Sequence, residues 1–146
     1  MDKKEFEKIG IKNVDEFDKY FEITSIKDEG FLLRQVRRKI ADKFDHVIQM
    51  LTHYIEPDGL TQFNDAHALS EDDRNDVMRI LKEFSILYKE HVMLEIESSD
   101  NEEKEYCRKS LDIYKANIKA LKSLLVKIKE SYSKEESIKT SADYLG

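Results

Sequence analysis

The chain has 146 residues, with 25 Lys and Arg against 31 Asp and Glu, for a formal charge of −6. Charged residues make up 38% and hydrophobic residues 40%, too apolar for a disordered chain and too charged for a membrane-embedded one. Four glycines and one proline leave too few turn-formers for a hairpin-rich sheet, so the composition excludes an all-β or doubly wound fold and predicts an all-α one.

Residues 1–24 read as two short helices. The first is closed at Gly10, a residue free to adopt the left-handed conformation that ends a helix. Asn13, with Glu16 three residues on, has the spacing of a capping box, and Val14, Phe17, Tyr20 and Phe21 give the second helix an apolar face. Both are too short to be stable alone and are expected to dock on larger helices.

Helix A is predicted over 25–56, opened by Ser25 with Asp28 at its third position. Leu33, Val36, Ile40, Phe44, Val47, Ile48, Leu51 and Ile55 recur along it by threes and fours. Pro57-Asp58-Gly59 stops it, and residues 57–69 form an acidic connection that carries Phe63 and His67. Helix B is predicted over 70–98, capped by Ser70 with Asp73, along a seam of Val77, Ile80, Phe84, Leu87, His91 and Leu94. After the break at Ser99-Asp100-Asn101, helix C occupies 101–132. Its residues Cys107, Leu111, Tyr114, Ile118, Leu121, Leu125, Ile128 and Tyr132 alternate by four and three, a heptad seam. Residues 133–146 read as a flexible C-terminal tail. The expected architecture is three long helices in an up-down-up bundle, with the short N-terminal pair packed on it, forming one domain over 1–132.

Charge is segregated. Residues 56–76 hold seven acids and one base, and 108–129 hold seven bases and one acid. On helix C, Arg108, Lys115, Lys122 and Lys129 recur every seven residues beside the seam; on helix B, Asp76, Glu83, Glu90 and Glu97 do the same on the other side of theirs. With the turn near residue 99, Glu90 lies level with Arg108, but antiparallel neighbours do not bring these two flanks side by side. The basic flank therefore faces helix A, solvent or another molecule. Arg108, Lys115, Lys119, Lys122 and Lys129 are the candidate partner-binding residues, extended by Arg34, Arg37 and Arg38 at the start of helix A.

Chemistry has little residue-level support. The single cysteine, Cys107, excludes an internal disulfide, and its seam position makes it a small hydrophobe rather than a nucleophile. His46, His53 and His91 lie at helical spacings, but no paired Glu-x-x-His motif accompanies them, so no metal or other cofactor is expected. No phosphate-binding glycine loop or Gly-x-Ser-x-Gly turn is present. The longest apolar runs are triplets, far short of the ~20 residues that span a bilayer. The first residues lack the apolar core of a secretory signal, and the expected location is cytoplasmic.

These features lead to the expectation of a non-enzymatic helical protein–protein interaction module: an adaptor, an inhibitor-like binder or a small subunit of a larger assembly. It would dock through an apolar helix flank with the basic stripe of helix C, on a protein partner or a second copy. The alternative is a nucleic-acid-associated protein using the basic faces of helices A and C, and below it a metal-binding bundle.

Overall fold

The computed structural model describes residues 1–56 and 67–145, with side chains through Tyr132. Its elements are α1 (Lys3–Lys8), α2 (Val14–Phe21), a single 3-10 turn (Ile23–Ser25) and the long helices α3 (Leu32–Ile55), α4 (Glu71–Ile96) and α5 (Asp100–Leu145). No strand occurs among the described residues. The fold is the expected all-α bundle, with the three long helices packed on one another and the short helices at the N-terminus.

Local polar bonds set the element ends. Gly10 closes α1 with a φ of 93°. Asn13 precedes α2 but makes no side-chain cap, correcting the predicted capping box, and Glu16, the other half of that box, accepts instead from Lys115 at 2.7 Å. Asp18 Oδ1 accepts from both the backbone N–H and the hydroxyl of Thr24, at 2.9 and 2.7 Å, and so ties the 3-10 turn back onto α2.

Helix A begins at Leu32, later than predicted. Ser25 ends the 3-10 turn, donating to the Glu22 carbonyl at 2.7 Å, and Ile26 after it is extended at φ −66° and ψ 129°, so no helix starts there; Asp28 accepts from the Gly30 N–H at 2.9 Å in the loop that follows. Phe31 then enters α3 at a φ of 52°, while the Gln35 amide donates back to the Asp28 carbonyl at 2.8 Å. The Ser70–Asp73 box forms as predicted, with Asp73 N–H donating to Ser70 Oγ at 3.2 Å and Ser70 N–H to Asp73 Oδ2 at 3.1 Å. A second box, unpredicted, opens α5: Glu102 N–H donates to Ser99 Oγ at 3.3 Å and Ser99 N–H to Glu102 Oε1 at 3.1 Å. The backbone of α5 continues to Leu145, past the predicted end at 132. The side chains of 133–146, predicted as a flexible tail, and residues 57–66, Phe63 among them, lie outside the described residues.

The chain divides into two compact units, Met1–Ile48 with Lys82–Lys115 and Gln49–Leu81 with Ala116–Gly146. The first is built round an aromatic cluster. Phe44 meets Phe84 edge-on at 4.6 Å between ring centroids, and Tyr114 lies 5.3 Å from Phe21 and 5.9 Å from Phe44. Such pairs contribute about 0.5–1.5 kcal/mol each beyond the area they bury. This cluster is what docks α2 on the long helices. The second unit buries Leu51, Tyr54, Leu69, Val77, Ile80, Leu121, Leu124 and Ile128. At its edge Lys127 reaches Asp73 at 2.5 Å, and Arg79 donates to the buried Asn117 at 3.0 Å.

The buried seam of α5 differs from the predicted one. Cys107, Leu121 and Ile128 are buried as expected, but the intervening positions are Ser110, Asn117 and Leu124. Leu111 is buried too, as expected, and Tyr114 joins the aromatic cluster, whereas Leu125 is turned outward. In the second unit the buried Asn117 accepts from Arg79, and Leu124, seven residues further along the same face, is buried where Leu125 is exposed. In the first unit α5 is covered on two sides: Tyr106 lies 6.5 Å from His91 on α4, while Cys107 and Leu111 line a pocket with Ile11 and Phe17.

Candidate interaction surface

Along α3 the buried residues Leu33, Arg37, Ile40, Phe44, Val47, Leu51 and Tyr54 alternate by four and three, so Arg37 occupies a seam position. It is 0% exposed. This corrects its assignment to a partner-binding surface. A buried guanidinium must be neutralised and hydrogen-bonded. Its Nε donates to Glu103 at 2.6 Å, and Nη1 faces His91 Nδ1 at 2.6 Å and Glu95 at 2.9 Å. Glu103 also accepts from the Ser98 hydroxyl at 2.7 Å.

Arg38, although half exposed, is committed to the same cluster, donating to both oxygens of Glu95 at 2.7 and 3.0 Å. Those bonds, with a smaller contribution from Arg37, hold the Glu95 carboxyl down to about 2. Burial, reinforced by the Arg37 charge, lowers the pKa of His91.

The other candidate basic residues divide by unit. In the first, Arg108 is engaged within its own helix, with Glu105 at 2.5 Å and Asp112 at 3.3 Å, and Lys115 is paired with Glu16. The Arg34 guanidinium lies 4.9 Å from the centroid of the Phe31 ring. In this unit Lys109–Glu90 at 2.8 Å bridges α4 and α5, one residue round the helix from the predicted Arg108 level. In the second unit, Lys119, Lys122 and Lys129 are exposed, with Leu125 and Val126 exposed among them on α5.

Sequence reasoning missed an apolar surface on α4. The last two turns of α4 present Val92, Met93 and Ile96 to solvent, at 46, 67 and 82% exposure. Met93 and Ile96 wall a groove of about 730 Å³, entirely within the first unit, between the end of α4 and the start of α5; Leu94 and Tyr106 also line it. Glu90, Glu97, Glu102 and Glu105 stand round it, against one base, Lys109, which is held by Glu90. The signal in the sequence was the run Val92-Met93-Leu94, where the apolar residues exceed what a single seam absorbs.

Groups with chemical potential are placed structurally. Cys107 is buried, and that burial pushes its thiol up to about 12. Among the described residues no group of three or more His, Cys, Asp or Glu is placed to hold a metal ion, and no helix is long and apolar enough to cross a membrane. Comparison with protein-family models, with characterised proteins and with solved structures finds no match for this chain.

Proposed function

We propose that this protein is a helical protein–protein interaction module whose docking surface is the α4–α5 end of the first unit. The observation that carries the reading is the exposure of Met93 and Ile96 on the wall of a groove. Large apolar side chains grouped round a concavity favour a partner that removes them from water, at about 25 cal/mol per Å² of apolar area buried. The buried Arg37 cluster lies beneath this end and supports a rigid surface, because Glu95 and Glu103 belong to the last turn of α4 and the first turn of α5. The basic residues of α5 take a secondary part: Arg108 and Lys115 already have acidic partners, and Lys119, Lys122 and Lys129 flank exposed Leu125 and Val126. That mixture suits a protein surface better than a phosphate backbone.

The test is site-specific photo-crosslinking in the protein's own cells, with the reactive residue at position 93 or 96 and a control at the exposed Asp112. A discrete heavier adduct of one identified protein at 93 and 96, absent at 112, is the expected result. Adducts that are absent at 93 and 96, or equal at all three positions, refute the reading.

A further inference from the structure

We infer that the occupant of the α4–α5 groove is a short basic amphipathic helix of another protein, an inference that rests on the docking role just proposed. Its first support is charge. Four carboxylates, Glu90, Glu97, Glu102 and Glu105, surround an apolar strip; Lys109 offsets Glu90 at 2.8 Å and Arg108 offsets Glu105 at 2.5 Å, and Glu97 and Glu102 keep the rim net negative. An acidic occupant would meet like charge around the groove, while Lys or Arg flanking an apolar face would meet opposite charge.

The second support is shape. The groove runs between two helices, where a third helix packs at an interaxial distance of about 8–10 Å. Capture of an extended peptide by strand addition needs a sheet edge, and the described residues contain no strand. From Glu90 to Glu97 the α4 wall extends for about 10 Å at 1.5 Å per residue, room for two turns of a bound helix. Such a helix would present apolar residues at i, i+3 or i+4, and i+7. Met93, on a flexible unbranched side chain, adapts to the shapes of those residues.

The experiment uses the full chain and two fluorescein-labelled synthetic 18-residue helical peptides that share a leucine face. One carries Lys and the other Glu on the polar face, and binding is read by anisotropy at physiological salt. The Lys peptide is expected to bind at least ten times more tightly than the Glu peptide. The Met93→Ser/Ile96→Ser variant, altered only at exposed positions and checked for an unchanged melting temperature, loses at least tenfold in Lys-peptide affinity. Glu97→Lys/Glu105→Lys reverses the preference between peptides.

Equal binding of both peptides, abolished by the Ser variant, overturns the basic-helix inference while leaving the groove a docking site. Lys-peptide binding indifferent to the Ser variant reflects general attraction to an acidic protein, and overturns the inference and the groove reading together. The absence of binding by either peptide does the same. Self-association in sedimentation that depends on Met93 and Ile96, without peptide binding, replaces the inferred occupant with a second copy of this chain.

Discussion

Nδ1 of His91 lies 2.6 Å from Nη1 of Arg37, and only one of the two atoms can supply the proton between them. A guanidinium is a permanent donor with no acceptor site, so His91 accepts at Nδ1 and carries its own proton on Nε2. The imidazole is therefore held neutral. Burial opposes its protonation, as do Arg37 and, more weakly, Arg38; Glu95 and Asp42 favour it but do not prevail.

Stability should consequently depend on pH in two stages. The folded-state pKa of His91 lies below its ordinary 6.5, so an unfolded chain binds this proton more readily than the folded one. The contribution of neutral His91 is complete above 6.5 and is lost as pH falls through the lowered folded value. Glu95 is depressed from 4.5 to about 2, so its contribution is complete above 4.5 and is lost as pH falls toward 2. Urea-unfolding midpoints measured across this range should fall in both intervals. His91→Gln, which retains an acceptor for Arg37, should flatten the first stage and leave the second. A wild-type midpoint that is level between pH 7.5 and 5.5 contradicts the neutral-His91 assignment.

Removing the central cation should cost far more than removing a surface charge. Arg37→Met strands Glu103, whose side chain is 4% exposed, without its partner, and breaking a buried pair in this way costs about 3–5 kcal/mol. The further change Glu103→Leu removes the stranded charge and should recover much of that loss, because well-packed apolar residues commonly replace a buried pair at little cost. Chemical denaturation of the two single variants and the double variant measures the coupling. Simple addition of the single losses excludes the pairing as the cause.

The Cys107 thiol, buried and with its pKa raised to about 12, should be inert in the native protein. Iodoacetamide at pH 7.5 should leave folded protein unlabelled over the time in which the denatured chain reacts fully. The native labelling rate should then rise with urea in parallel with unfolding. Rapid native labelling places Cys107 on an accessible surface and contradicts its seat in the first unit.

Much of the fold was legible because its determinants are local. The three long helices follow from apolar periodicity, the Ser70–Asp73 cap from spacing and the close of α1 from Gly10. The start of α3 was not, since Ser25 and Asp28 have good cap chemistry and only the structure shows the extended backbone at Ile26 and the loop closed by Asp28 on Gly30. The site was less legible. Arg37 stands among Arg34, Arg38 and Lys39 and so reads as part of a basic patch, although the four-and-three spacing from Leu33 to Tyr54 passes through it. Charge type concealed what periodicity revealed. On α5 the error ran the other way: apolar identity nominated Ile118 and Leu125 for the seam, while Ser110 and Asn117 took inward positions that residue type alone argues against.

The polar interruption of the α3 seam has a consequence for how the chain finds one arrangement. Heptad seams of similar apolar residues are nearly degenerate to sliding by two turns, because each layer after the shift still meets an apolar layer. Moving Arg37 by seven residues along the bundle would carry its charge away from Glu95 and Glu103 and into surroundings suited to Phe44. The misaligned form would then bear an unneutralised ion in its interior. Arg37 thus acts as a key that fits one axial setting of α3 against Glu95 and Glu103.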